Sequence, residues 1–149
     1  ALVLIDHKSL QVKWYLRDEF RRQHSPNISK NGMLLIFDNE GSDEKFGESR
    51  IVQFDLKRNK FNSDFDGNDN FFFESDIRGR IQIFNDQIYV TSSQQGEVFK
   101  LNCNNENLKR CNPQILFSSN TKGKSNSIFV ADFYNKDYFT EDFLSKINK

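Results

Sequence analysis

Few side chains in this chain could do chemistry: its 149 residues hold only two histidines and two cysteines. No serine or cysteine sits in a nucleophile motif, and there is no Gly-rich phosphate loop. His7 follows Asp6 in a turn and is expected to be solvated. That leaves His24, whose imidazole could serve as a general acid or a hydrogen-bond donor. Arg78 and Arg80, in Arg78-Gly79-Arg80, supply guanidinium forks suited to an anion such as sulfate or phosphate. Asn27 lies just beyond His24 and also opens the sequon Asn27-Ile28-Ser29, on a strand expected to face inward. Asp64, Asp66, Asn68 and Asn70 alternate as oxygen ligands do in a calcium loop. Gly67 falls early for such a loop and no glutamate closes it. The segment therefore reads as a solvated loop, with calcium as the minority reading and no cofactor implied.

These residues need elements to hold them, and the elements repeat. Ala1 to Asp6, Ser49 to Asp55 and Gly96 to Asn102 align so that Asp6, Asp55 and Asn102 coincide, each followed by a polar turn and a second strand-like run. Ahead of the last two copies, His24 to Ile28, Asn31-Gly32 and Met33 to Asp38 match Arg78 to Ile83, Asn85-Asp86 and Gln87 to Ser92. Asn, Asp and Gly tolerate the positive φ of tight hairpin turns. The runs are β-branched and aromatic, and Gly, Asn, Ser and Asp clusters bound them. Four short strands in about 50 residues is the period of a β-propeller blade. The expected architecture is all-β: a half blade over 1–16, blades over 24–65 and 78–117, a closing strand over 127–133 and a short helix over 138–148. In this alignment His24 and Arg78 head equivalent inner strands, which line the central channel, so both should reach one pocket.

Composition narrows the function. Lysine plus arginine and aspartate plus glutamate both number 21, so the net charge is zero and bulk charge cannot hold a nucleic acid. A mean hydropathy of −0.72 suggests a solvating chain. Sixteen phenylalanines and 14% aromatic content argue for a packed core instead. The longest apolar runs, Ala1 to Ile5 and Met33 to Phe37, are strand-sized, too short for a membrane helix. The opening Ala-Leu-Val-Leu-Ile starts inside a strand pattern and reads as part of a longer protein. Two and a half blades cannot close a ring, so upstream blades or further chains are expected to complete it. Cys103 and Cys111 are spaced to bridge a hairpin in an oxidising compartment, or else to remain two unpaired thiols in a polar loop.

The order Gln23-His24-Ser25-Pro26-Asn27, Asn31-Gly-Met-Leu-Leu-Ile-Phe-Asp-Asn39, Ser49-Arg50-Ile-Val-Gln-Phe-Asp55, Gly79-Arg-Ile-Gln82 and Thr91-Ser-Ser-Gln-Gln-Gly96-Glu-Val-Phe99 resembles the C-terminal half of the bacterial arylsulfotransferase propeller family. The resemblance runs from Ala1 to the Phe129-Val-Ala-Asp-Phe-Tyr134 segment. It implies a six-bladed ring, periplasmic or secreted, that moves a sulfuryl group from an aryl sulfate to a phenol through a transiently sulfated histidine. His24 matches one of that family's channel histidines, and Asn27 lies near the asparagine that accompanies it, with one residue inserted. The family's covalent histidine lies further toward the C-terminus, whereas this chain has no histidine after His24. Two functions follow as expectations. One is sulfuryl transfer, with His24 as general acid or donor to the bridging oxygen, and Arg78, Asn27 and Arg80 around the anion. The other is a non-catalytic propeller that binds a small anion or a protein partner.

Overall fold

The computed structural model describes residues 1–17, 20–39, 49–75, 77–103, 107–119, 126–141 and 145–146. Strands β1 (Leu2–Ile5) and β2 (Val12–Leu16) make a hairpin. Strands β3 (His24–Ile28), β4 (Met33–Asp38), β5 (Arg50–Asp55) and β6 (Lys60–Phe65) form one four-stranded sheet in chain order. Strands β7 (Arg80–Phe84), β8 (Gln87–Ser92), β9 (Glu97–Cys103) and β10 (Cys111–Ser118) form a second. All pairings are antiparallel, so the described residues are all-β, with three sheets among them. Both prolines, Pro26 and Pro113, lie on edge strands, β3 and β10, where a missing N–H costs the ladder least.

The sequence repeat corresponds to a repeated turn. One Asp6 carboxylate oxygen accepts from the Lys8 and Ser9 amides at 3.0 and 2.7 Å, and one Asp55 oxygen accepts from the Lys57 and Arg58 amides, both at 2.9 Å. Four residues after each aspartate the chain turns left-handed, at Leu10 (φ 55°) and Asn59 (φ 52°). These bonds favour the ionised carboxylates. The Ser9 amide leads in holding Asp6 below the usual carboxylate range, and the Arg58 amide leads for Asp55. The other turn type is also as expected, with Asn85 and Asp86 at φ 49° and 58° and Gly32 at 83°.

Burial follows the alternation of the strands. Leu35, Phe37 and Ile51 on one face of the first four-stranded sheet pack with Phe65 and Phe73 against Ile81, Val90, Phe99 and Leu101 of the second. Its other face, with Leu34, Ile36 and Phe54, is covered by Leu2, Trp14 and Leu16 of the β1–β2 hairpin. The phenylalanines meet edge to face or stacked, as in Phe71 on Phe99 at 4.9 Å and Phe65 on Phe73 at 5.8 Å. Gly79 is small because a side chain there would overlap the Phe37 ring.

Two expectations need correction or restriction. Residues 127–133 do not form a closing strand. Side chains of the second sheet hold this segment in place of a backbone ladder: Ser93 Oγ donates to the Phe129 carbonyl, Thr91 Oγ1 accepts from the Ala131 amide, and Gln82 takes both main-chain groups of Phe133. Of the expected helix over 138–148, residues 142–144 and 147–148 lie outside those described, and Glu141, Ser145 and Lys146 are helical. The described turn in that region is a 3-10 helix, Lys136–Tyr138.

Candidate functional site

The two four-stranded sheets meet along β3 and β7 without sharing a ladder. The Ser25 hydroxyl donates to the Ile81 carbonyl at 2.9 Å and accepts from the Ile81 amide at 3.1 Å, satisfying both edge groups of that residue. Asn27 Nδ2 donates to the same carbonyl at 2.9 Å. Gln82 does for Phe133 what Ser25 does for Ile81: it donates to the Phe133 carbonyl at 2.8 Å and accepts from its amide at 2.7 Å.

Strand register revises the alignment of the site residues. His24 pairs with Phe37, the fifth residue of β4, while Arg80 pairs with Thr91, the fifth residue of β8. The counterpart of His24 in the second sheet is therefore Arg80 rather than Arg78. Likewise Asn27, opposite Leu35, corresponds to Gln82, opposite Tyr89. The difference is two residues: one is the bulge between His24 and Asn27, where Ser25 takes a φ of 50°, and the other comes from the longer turn after β3, residues 29–32 against Asn85-Asp86 after β7.

His24 and Arg78 nevertheless meet. Together with Ser25, Gly79, Arg80 and Phe129 they line an open cavity of about 340 Å³ at the start of the two inner strands. His24 is half-buried, and Arg78 lies over the Phe129 ring at 5.0 Å. Arg80 is less available, because its guanidinium is paired with Asp132 at 2.5 Å. Asn27 points its amide at backbone and is a structural neighbour of the cavity, and the same bonds occupy the nitrogen that the sequon would glycosylate. Sequence reading missed Phe129 and Asp132. Their segment read as a strand, and only packing brings it to the cavity.

The other candidates separate cleanly. Cys103 and Cys111 are joined, their Cα atoms 4.1 Å apart as direct partners across β9 and β10. Asp64 carries cations where a metal reading would want calcium, with Lys109 at 3.5 Å and Arg50 at 4.0 Å. Asn68 accepts from the Asn70 amide at 3.0 Å, closing a local turn with Phe71. Among the described residues no helix is long and apolar enough to cross a membrane. No family model, curated protein or solved structure matches the chain.

Proposed function

We propose that the two four-stranded sheets are successive blades of a β-propeller whose channel binds a small aryl anion of the aryl-sulfate class. The observation that supports this is the meeting of His24 and Arg78 at one cavity with the Phe129 ring beneath the guanidinium. An arginine already stacked on an aromatic face has little entropy left to lose on pairing with an anion. The half-buried imidazole adds a second donor, and Phe129 offers a surface for the ligand's own ring. Further sheets, from the same protein or from other chains, complete the ring, in a periplasmic or extracellular setting that suits the disulfide.

Sulfuryl transfer to a phenol is the activity that the family resemblance implies for such a ring. In it Arg78 neutralises sulfuryl charge and His24 hydrogen-bonds the bridging oxygen. The test is titration of the full protein with 4-nitrophenyl sulfate by calorimetry, alongside release of 4-nitrophenol in the presence of a phenol acceptor. Arg78→Ala should weaken binding at least tenfold, about 1.4 kcal/mol. His24→Ala should lower turnover more than binding. Binding unchanged by Arg78→Ala removes the site. Binding without turnover leaves an anion-binding propeller.

A further inference from the structure

A second cavity, also of about 340 Å³, lies between the same two sheets at the far end of the inner strands, beside the turns that follow β3 and β7. Its walls are Met33 and Leu35 from the first sheet, Ile83 and Ile88 from the second, and Leu108 from the 3-10 turn Leu108–Arg110. A space of this size lined by flexible and branched aliphatic side chains is within the range of small-molecule pockets.

Ser29, Lys30, Asn31 and Asp86 line the cavity from the turns, and Gln53 is the polar amide that a strand contributes to it. Gln53, on β5 opposite Leu35, is only 5% exposed. Its hydrogen bonds define which end faces the cavity. Ser63 Oγ accepts from the Leu108 amide at 3.0 Å, so its own hydrogen is directed to Gln53 Oε1, 2.9 Å away. Asn62 Nδ2 donates to the same oxygen at 2.6 Å. The Gln53 oxygen is thus saturated, and Gln53 Nε2 has no hydrogen-bond partner among the described residues. That nitrogen is not among the fully buried polar atoms left unpaired, so it meets the water of the cavity, and a ligand oxygen can take that water's place. At the mouth, Lys30 reaches from one turn to Asp86 on the other at 3.1 Å. Both side chains are mostly exposed, and such a pair is too weak to seal the entrance.

The geometry points to a binding site for a small, mainly apolar molecule carrying one carbonyl-type oxygen, its hydrocarbon between the Met33, Leu35 and Ile83 side chains and its oxygen accepting from Gln53 Nε2. It stands independently of the aryl-anion site, which shares no lining residue with it.

Met33 is the sole methionine of the chain, so the full protein labelled with methyl-13C methionine gives one methyl signal from inside the cavity. Titration with acetophenone should shift that signal saturably. Alpha-methylstyrene, which has the same shape with CH2 in place of the oxygen, should bind at least tenfold more weakly. Gln53→Leu should abolish the preference for the ketone, and Ile83→Trp, which fills the cavity from the opposite sheet, should abolish the saturable shift. Should Gln53→Leu fail to fold, the ligand pair and Ile83→Trp decide the matter. Absence of a saturable shift, equal affinity for the two probes in the parent chain, or a shift that survives Ile83→Trp overturns the proposal.

Discussion

The β3–β6 and β7–β10 sheets have the same strand order and nearly the same repeat length, yet they are stabilised differently. The first lies between two layers, and five of the six residues in each of β4 and β5 are buried. The second packs one face on the first and leaves Ile115, Leu116 and Phe117 of β10 exposed. What it lacks in cover it gains in a covalent link, Cys103–Cys111, across its last hairpin. In the first sheet the corresponding β5–β6 hairpin relies on the Asp55 turn, while the buried Asp38 carboxylate of β4, which Arg50 of β5 grips at 2.9 Å, ties β4 to β5. A repeat thus conserves geometry while the means of stabilisation shifts with position, from apolar burial where both faces are covered to cross-linking where one is open.

The largest effect that could break this comparison is a core truncation. Phe37→Ala removes a fully buried ring that contacts Phe73 and should cost about 3–5 kcal/mol, read as a lowered denaturant midpoint. Phe117→Ala on the open β10 should cost under about 1 kcal/mol. Equal losses at the two positions would mean that the second sheet is covered as fully as the first.

Reduction of the disulfide comes next. The bridge closes a short loop, so its removal should cost about 2–3 kcal/mol and should loosen amide protection in β9 and β10 while leaving β4 and β5 unaffected. Thiol titration of the unreduced protein should find no reactive group. Two free thiols would leave the second sheet without its link.

The Asp55 turn gives the smallest effect. Its carboxyl is held below the ordinary value of 3.8, chiefly by the Arg58 amide, so the folded state binds that proton less readily than the unfolded chain. The stability it confers is fully present above that value and is lost as the pH falls through the lower folded-state value. Asp55→Asn should therefore show a shallower loss of stability on acidification than the parent. An identical acid limb in the two proteins would remove the turn from the account.

Much of the architecture was legible because turn residues punctuate strands here with little ambiguity: Asp6 and Asp55, Asn31-Gly32, and Asn85-Asp86 mark where the chain reverses. The site was legible only in outline. His24 and Arg78 could be placed at the starts of neighbouring strands, but the bulge at Ser25 depends on how β3 pairs with β4, and together with the longer turn after β3 it made Arg80 the counterpart of His24. Asp132 and Phe129 come from a segment held by side chains of distant strands, for which the local sequence carries no periodic signal. Gln53 is hidden for the opposite reason. Within Ile-Val-Gln-Phe-Asp it looks like an exposed strand residue, and only its partners Asn62 and Ser63 on β6 explain its burial.

The seam between the sheets has an evolutionary consequence. Ser25 and Gln82 each join a neighbouring segment through one side chain that answers both a carbonyl and an amide. Such a junction asks for a residue type and a reach, and it needs no ladder shared between the two sheets. A genetic cassette of about 50 codons could therefore be duplicated, deleted or exchanged by recombination where it brings a matching apolar face and a compatible serine, asparagine or glutamine at the border.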